Sequence, residues 1–228
     1  MNASFLTLLS TNKSERGAPP DFNGLARFYR WMEFFTFGSR LERCRHAFLG
    51  DLAACKRAAL LGDGDGRFTA QLLRVNSTVK IDAVDASRAM LCGLLHRAGS
   101  HATRVHVHCA DARQWQPENP PYDLIATHFF LDCLTDDEVR SLAEKLRGAL
   151  TPSGQWVVSE FAIPEGAFGL WVARLVVWLL YRAFGLLTGL TVRRLPDYAD
   201  ALRAAGFTLR KHSSFLHGLL AADLWSRS

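Results

Sequence analysis

The sequence predicts one α/β domain built on a doubly wound, mostly parallel sheet of seven strands with helices on both faces. From residue 57 onward, short apolar runs alternate with amphipathic segments, which is the pattern of a parallel sheet covered by helices. A glycine-rich stretch after the first run is typical of a tight strand-to-helix connection. A length of 228 residues suits one such domain. The predicted strands are 58–61, 79–84, 105–109, 124–127, 155–161, 207–209 and 219–225.

The remaining sequence predicts helices between these strands and two elaborations of the domain. Ser87 and Thr135 are typical N-cap residues, and each stands directly before an amphipathic stretch. The predicted helices are 68–75, 87–97, 136–150 and 196–205. We divide the single domain into a loose arm (1–20), an N-terminal helical cap (21–56), a core (57–162), an apolar helical insertion before the last helix (163–195), and the C-terminal helix with the closing strands (196–228).

Composition and charge narrow the partners and the compartment. The net charge is +5, but the basic residues are scattered, so we expect no nucleic-acid partner. The five cysteines form no CxxC pair and are odd in number, which predicts reduced thiols in the cytoplasm. No basic region precedes the apolar patch at 5–9, so a signal peptide is not expected. His106 and His108 show no metal-ligand spacing with carboxylates or thiols, and we expect no metal.

The glycine-rich stretch predicts a ligand site at the end of the first strand. Gly62, Gly64 and Gly66 follow that strand directly, and the helix after them offers free N–H groups. A tight turn without any ligand is the alternative. Asp85 favours the ligand, because a carboxylate at the end of the next strand can accept both hydroxyls of a ribose. Its own alternative role is to cap the helix that opens near Ser87.

The loop also discriminates between cofactors. A dinucleotide fingerprint needs a glycine three residues after Gly64, where this chain has Arg67. Asp63 and Asp65 would place two carboxylates where a pyrophosphate has to lie, which is unfavourable for NAD. The same carboxylates would suit the ammonium and sulfonium charges of S-adenosylmethionine.

Four stretches of the chain resemble, in order, the motifs of the class I, Rossmann-like S-adenosylmethionine-dependent methyltransferases: 60–66, 84–91, 109–112 and 122–125. The resemblance covers about residues 57–162. It implies S-adenosyl-L-methionine as cofactor, with the glycines along its methionine part and Asp85 on its ribose. Met90 would pack on the adenine, and Asp111 would accept from the adenine amino group. The predicted cofactor-binding residues are Gly62, Asp63, Gly64, Asp65, Gly66, Asp85, Ala86, Met90, Asp111, Ala112 and His128.

One position departs from the family pattern. Many members carry an acidic residue two positions before the first glycine, and Leu60 stands there in this chain. The partner of the cofactor's amino group therefore stays open between Asp63, Asp65 and a residue of the cap.

Catalytic residues are predicted after the fourth strand, because ligands lie beyond the carboxyl ends of parallel strands. His128 is the first candidate for a general base and Asp132 the second. Such a base is needed only when the acceptor has to lose a proton. The alternatives are that His128 merely lines the cofactor pocket and that Asp132 caps a turn.

The acceptor is predicted to be hydrophobic. Residues 168–190 are nearly all apolar, yet Arg174 and Arg182 keep every uninterrupted run below the roughly 18 residues of a membrane span. This segment is a core helix, a lid over an apolar substrate, or a face on a bilayer or partner. Its placement resembles that in methyltransferases of quinones and lipids. The aromatic residues at 28–37 favour the same kind of acceptor.

The sequence as a whole therefore predicts a cytoplasmic methyltransferase for a small hydrophobic or lipid-like acceptor, with peripheral contact to the inner face of the membrane as an open alternative. Two other functions stay open. The first is an NAD(P)-dependent oxidoreductase on a similar fold. The second is a non-catalytic, membrane-associated module that binds S-adenosylmethionine. The acceptor and the atom that takes the methyl group are not specified by the sequence.

Overall fold

A computed structural model describes residues 39–162 and 196–227, and the seven strands of these residues form one sheet. The spatial order is β3-β2-β1-β4-β5-β7-β6. Strands β1 to β5 pair in parallel, and β7 lies antiparallel between β5 and β6. The strands are β1 (Arg57–Leu61), β2 (Lys80–Asp85), β3 (Val105–Cys109), β4 (Tyr122–His128), β5 (Leu150–Phe161), β6 (Phe207–Phe215) and β7 (Leu220–Arg227).

Helices cover both faces of this sheet, which confirms the predicted fold class. One core cluster joins α1, α2 and α3 to one face, and a second joins α4 and α5 to the other. Strand β1 is buried from Ala58 onward because both of its faces are covered. The α-helices are α1 (Ser39–Arg45), α2 (Arg67–Val75), α3 (Arg88–Ala98), α4 (Asp136–Ala149) and α5 (Tyr198–Ala204). Short 3-10 helices lie at Leu49–Leu52, Gly99–Arg104, Leu131–Cys133 and Leu216–Gly218.

The predicted helix starts are confirmed in detail. The Thr135 side chain accepts from the Glu138 backbone N–H at 3.3 Å, and the Glu138 carboxylate accepts from the Thr135 N–H at 2.9 Å. This reciprocal pair satisfies two of the N–H groups that a helix start leaves without a partner. Ser87 accepts from the Met90 N–H at 3.3 Å and opens α3 in the same manner.

Two strands are longer than their apolar patterns indicate. Strand β6 continues to Phe215 rather than ending at Leu209, because β7 pairs with it although most of its side chains are exposed. Strand β5 begins at Leu150 rather than at Gln155, since Leu150 already pairs with Tyr122. The apolar pattern of a strand stops where its side chains face water, but the pairing of its backbone with the neighbouring strand continues.

Three predicted segments fall wholly or partly outside the described residues. The arm, the first part of the cap and the apolar insertion at 163–195 lie there, so their predicted structure stays a prediction. The described part of the cap is helical, in α1 and at Leu49–Leu52. No helix within 39–162 and 196–227 has the length and apolar character needed to cross a membrane.

Candidate active site

The glycine loop between β1 and α2 packs against neighbouring side chains at its first and third glycines, and the space around its second glycine is open. Gly62, Gly64 and Gly66 have φ of 71°, 58° and 79°, in the region that favours glycine. A Cβ at Gly62 would lie 2.5 Å from Phe130 Cδ2, and one at Gly66 would lie 2.6 Å from Leu94 Cγ. At Gly64 the nearest atom would be the Met90 sulfur at 3.8 Å. The first and third glycines therefore serve packing, and Gly64 is where the backbone lets a ligand approach.

The two carboxylates of the loop, which were predicted to meet the cofactor's positive charges, already have partners within the protein. Asp63 accepts from the Thr69 backbone N–H at 2.8 Å and from the Thr69 hydroxyl at 2.6 Å. Asp65 pairs with Arg97 Nη2 at 2.6 Å. The start of α2 leaves N–H groups without partners, and Asp63 is the nearest acceptor. Burial raises the pKa of Asp63, although the hydrogen bonds from Thr69 oppose that shift.

Asp85 ends β2 beside the glycine loop. Its Oδ1 accepts from the Ser87 backbone N–H at 2.8 Å, and the Gly64 backbone also donates to this carboxylate. Burial raises its pKa above the ordinary value. Met90 lies half-buried on the next turn, close to Gly64, and Ala86 is exposed. The Asp85 carboxylate thus holds the residue before α3, in keeping with the alternative role near a helix cap. It also lies beside Gly64, where the space around the loop is open.

Asp111 is less available than the family resemblance implies. Arg113 donates to its carboxylate from Nε at 2.9 Å and from Nη2 at 2.6 Å, and also reaches Glu138 at 2.7 Å. This planar, two-point contact lowers the pKa of Asp111. The side chain predicted to meet the adenine amino group is therefore engaged by a neighbouring guanidinium, and Ala112 beside it is buried.

His128 ends β4 as a neutral, oriented imidazole. Its Nδ1 lies 2.9 Å from the Ser159 hydroxyl oxygen, and that hydroxyl donates to the Cys44 carbonyl at 3.3 Å. When the hydroxyl proton points at the Cys44 carbonyl, His128 Nδ1 is the donor to Ser159 and the lone pair is on Nε2. Burial, aided by the charges of Arg45 and His46, holds the pKa of His128 well below its usual range.

The Nε2 atom of His128 has the properties of a base. It is buried and meets no hydrogen-bond partner among the described residues. Its ring packs on Phe68 with the centroids 4.3 Å apart, which fixes its position. The prediction of His128 as a base remains a hypothesis, and the tautomer that it requires is the one in which Ser159 accepts from Nδ1.

Glu160 is a site residue that the sequence reasoning missed. It lies near the end of β5 and is 1% exposed. Its Oε1 accepts from the backbone N–H groups of Phe130 at 3.0 Å and Leu131 at 2.7 Å, and this pins the turn after β4. Its Oε2 is buried without a hydrogen-bond partner in the described part of the chain. The available signal was a lone acidic residue in the apolar run 155–161.

Asp132 and Glu160 form a coupled pair of buried carboxyls. Burial raises the pKa of Asp132 to about 6. Burial and the charge of Asp132 raise the pKa of Glu160 well above its ordinary value. Two carboxylates that share a dry site do not both ionise readily, so the pair holds a proton at neutral pH. Asp132, predicted as the second candidate base, therefore stands beside a group able to supply or store a proton.

These groups meet at one edge of the sheet. The glycine loop, Asp85, His128 and Glu160 follow or end β1, β2, β4 and β5, which are neighbours in the order β2-β1-β4-β5. The contact between Gly62 and Phe130 joins the loop to the turn that Glu160 pins. Ligands of open α/β sheets bind at this edge, beyond the carboxyl ends of the strands.

Comparison with known proteins supports the class that the fold and this edge define. Residues 59–154 match the methyltransferase domain family. An N-terminal Xaa-Pro-Lys N-methyltransferase 1 from Danio rerio is 30% identical over 106 residues, which is 46% of this chain and 47% of that protein. The chain spans about half the length of the curated relatives it matches.

Solved structures show the same fold. The mitomycin 7-O-methyltransferase MmcR has a TM-score of 0.64 at 18% identity, covering 84% of this chain and 55% of its own. A putative O-methyltransferase from Nostoc punctiforme PCC 73102 has a TM-score of 0.67 at 18% identity, covering 91% of this chain and 61% of its own. The described residues thus share the fold of these structures, and the match of residues 59–154 to a methyltransferase domain implies S-adenosyl-L-methionine as cofactor.

The residues present fit this cofactor. Gly64 leaves space that a side chain would fill, and Asp85 places a carboxylate beside it for the ribose hydroxyls. Met90 offers an apolar surface at the same place. Asp63 and Asp65 have protein partners, and the partner of the cofactor's amino group stays open between these carboxylates and a residue of the cap.

The loop geometry predicts unequal effects of two glycine substitutions. Gly64→Ala should cost about 1–2 kcal/mol, the penalty of a left-handed backbone at a residue with a Cβ. Gly62→Ala should cost about 1–3 kcal/mol more, because its Cβ overlaps Phe130. Denaturant unfolding of both variants measures the difference. Gly148→Ala, with open space around it in α4, is the control and should not destabilise; equal losses at Gly62 and Gly64 would contradict the packing role.

The buried carboxyl pair predicts a pH-dependent stability. The folded state holds the proton of Glu160 above pH 4.5, the ordinary pKa, so this group's contribution to the free energy of unfolding falls as pH rises. The slope reaches about 1.4 kcal/mol per pH unit for one proton. Relative to wild type, Glu160→Gln should therefore gain stability between about pH 5 and pH 8 in unfolding titrations. The exposed Asp137→Asn should show no such trend, and a flat difference for Glu160→Gln would refute the assignment.

Proposed function

We propose that this protein transfers a methyl group from S-adenosyl-L-methionine to a small hydrophobic acceptor that loses a proton in the reaction. The observation that carries the proposal is the joining, at one sheet edge, of an open glycine loop with a buried imidazole whose Nε2 has no hydrogen-bond partner among the described residues. The glycine loop would bind the cofactor, and the imidazole would take a proton from the acceptor. The family of residues 59–154 supports the reaction class.

The cofactor half of the mechanism follows from the loop. When bound, S-adenosylmethionine supplies a methyl group already activated by its sulfonium. The Gly64 backbone would lie along it, the Asp85 carboxylate would accept from its ribose hydroxyls, and Met90 would cover its adenine. Alignment of the two reactants can contribute about 7–11 kcal/mol to the barrier reduction, so holding the groups in place is the main task of these residues.

The acceptor half follows from His128. A neutral imidazole with Nδ1–H bonded to Ser159 is able to take a proton at Nε2 from a phenol, an enol or a comparable acidic group. The proton then resides on an imidazolium whose Nδ1 is stabilised by the Ser159 oxygen. Burial makes that charged state costly, so the proton has to leave rapidly to solvent or to a neighbouring group.

A hydrophobic acceptor is supported by the aromatic side chains around this edge. Phe129 packs against Phe161 with the centroids 5.2 Å apart, and the Arg45 guanidinium lies 5.1 Å from the Phe129 centroid. The apolar composition of 168–190 and the aromatic residues at 28–37 point to the same chemistry. The curated relatives act on protein N-termini by name, but their match covers 106 residues and leaves the acceptor open.

Location and partners belong to the same proposal. We propose that the protein works in the cytoplasm without a nucleic-acid partner. The five cysteines are free thiols, as expected for a reducing compartment, and the positive charge is scattered. Contact of the apolar insertion with the inner membrane face is the alternative to a lid, and vesicle flotation of the full chain distinguishes the two.

Cofactor binding is tested at Asp85. Asp85→Asn keeps an acceptor for the Ser87 N–H but removes the charge, so S-adenosylmethionine should bind about 10- to 100-fold more weakly, the loss expected for hydrogen bonds to a charged group. Isothermal titration measures the change. Asp65→Asn, whose carboxylate faces Arg97, is the matched control and should bind as wild type. Tight NAD(H) binding with none of S-adenosylmethionine would instead favour the oxidoreductase.

Proton removal is tested at His128. His128→Asn retains a donor for Ser159 but lacks the Nε2 lone pair, so methyl transfer to phenolic acceptors should fall by about 10²- to 10⁴-fold. Cofactor affinity should stay the same, which separates the base from a pocket-lining role. The exposed His96→Asn is the control. An unchanged rate in the His128 variant, with phenolic acceptors from a screened panel, would remove the base from the mechanism.

A further inference from the structure

A second cluster of polar side chains lies on β2 and β3, apart from the glycine loop. Parallel pairing places Asp82 opposite His106, and His108 follows on the same face of β3. We propose that Asp82, His106 and His108 bind a zinc ion or a similar divalent metal. Histidines at i and i+2 with an aspartate 24 residues earlier have no familiar spacing, so the sequence predicted no metal; the sheet register supplies the missing carboxylate.

The three ligand atoms are spaced as a metal requires. Asp82 Oδ1 lies 3.4 Å from His106 Nδ1 and 3.2 Å from His108 Nε2, and all three atoms are within 4.8 Å of one another. Bonds of about 2.0–2.1 Å in a tetrahedral site put neighbouring ligand atoms about 3.3–3.4 Å apart. An ion therefore fits between them with little movement of the side chains.

Outer contacts orient two of the ligands. Glu118 Oε1 lies 3.3 Å from His108 Nδ1, which is the carboxylate-histidine arrangement that directs the other ring nitrogen at a metal. Tyr122 donates its hydroxyl proton to Asp82 Oδ2 at 2.7 Å. The Asn119 amide donates to the same carboxylate, at 3.1 Å to Oδ2 and 3.2 Å to Oδ1.

The proton count at His108 favours a cation over a simple hydrogen bond. A neutral imidazole has one N–H, and His108 faces a carboxylate from each of its two nitrogens. If Nδ1–H serves Glu118, the Nε2 lone pair points at an anionic oxygen 3.2 Å away, which is repulsive. A metal ion between Nε2 and Asp82 removes this repulsion.

The site is accessible from solvent. The His106 side chain is 63% exposed, and with Asp82 it lines a cavity of about 400 Å³. Arg57 and Lys80, the first residues of β1 and β2, also line this cavity, so it opens toward the amino ends of the strands, away from the glycine loop. The positive charges of Arg57 and Lys80 disfavour a bound cation. The negative charges of Asp82 and Glu118 offset this effect. A bound ion would tie the edge strand β3 to β2 and would keep a coordination position open to water.

The test is metal titration of the full chain, freed of affinity tag and stripped with a chelator. Zn²⁺ should bind with one saturable equivalent by calorimetry, and Co²⁺ should give the visible absorption of a tetrahedral site. Glu118→Gln should weaken Zn²⁺ binding about 10- to 100-fold, the usual effect of losing an outer contact. His106→Ala should weaken it further. His101→Ala, an exposed histidine outside the cluster, should bind as wild type.

Thermal unfolding separates binding from misfolding. Since His106 is largely exposed, His106→Ala should melt like metal-free wild type, and Zn²⁺ should raise the melting temperature of wild type but not of this variant. Absence of saturable Zn²⁺ binding in wild type overturns the proposal. Unchanged binding in His106→Ala overturns it as well, because the ion then lies elsewhere.

Discussion

The sharp turn from β1 into α2 is the constraint on which the rest of the site depends. Gly62 donates to the Val84 carbonyl at 2.9 Å while its α-carbon lies against Phe130, so the loop is fixed to β2 and to the turn after β4 at once. Gly66 abuts Leu94 and fixes the middle of α3 in the same way. With both flanks closed by packing, Gly64 and the Asp85 carboxylate are held together at the edge of the sheet. The loop is thus a rigid part of the core before it is a ligand site.

Burial of ionisable groups at the ends of β4 and β5 is the second feature that organises the domain. A carboxyl in a dry site favours its proton and an imidazole there favours losing one, so Glu160 and His128 are pushed toward their neutral forms from opposite directions. An apolar core would avoid these costs. Groups whose environments push their pKa values in opposite directions are typical of acid-base sites. The free-energy cost of burying Glu160 is partly offset because its carboxyl group accepts from two backbone N–H groups of the turn.

The sequence predicted the parts of this domain that depend on local chemistry. Alternating apolar runs located all seven strands, and Thr135 and Ser87 marked the helices that they cap. Residue partnerships across the fold were less predictable. Asp65 meets Arg97 from α3, and Asp63 turns back to its own helix, and the loop's spacing revealed neither of these partners. Asp82 joins His106 only through strand register. Partner choice depends on which atoms the tertiary structure brings together, and one sequence does not contain that information.

The same distinction explains why the cofactor is easier to infer than the acceptor. The proposed cofactor contacts involve the backbone and residues at or after the ends of strands β1 and β2, where motif and position coincide. The acceptor side would be formed by the turn after β4 and by the partners of His128, Asp132 and Glu160, which come from distant parts of the chain. Ser159 lies beside the imidazole from β5 and has no sequence motif around it. If His128 is the base, it removes protons only from acceptors that are acidic enough to give them up, so proton affinity would limit which acceptors the site can use, in addition to the shape of its apolar walls.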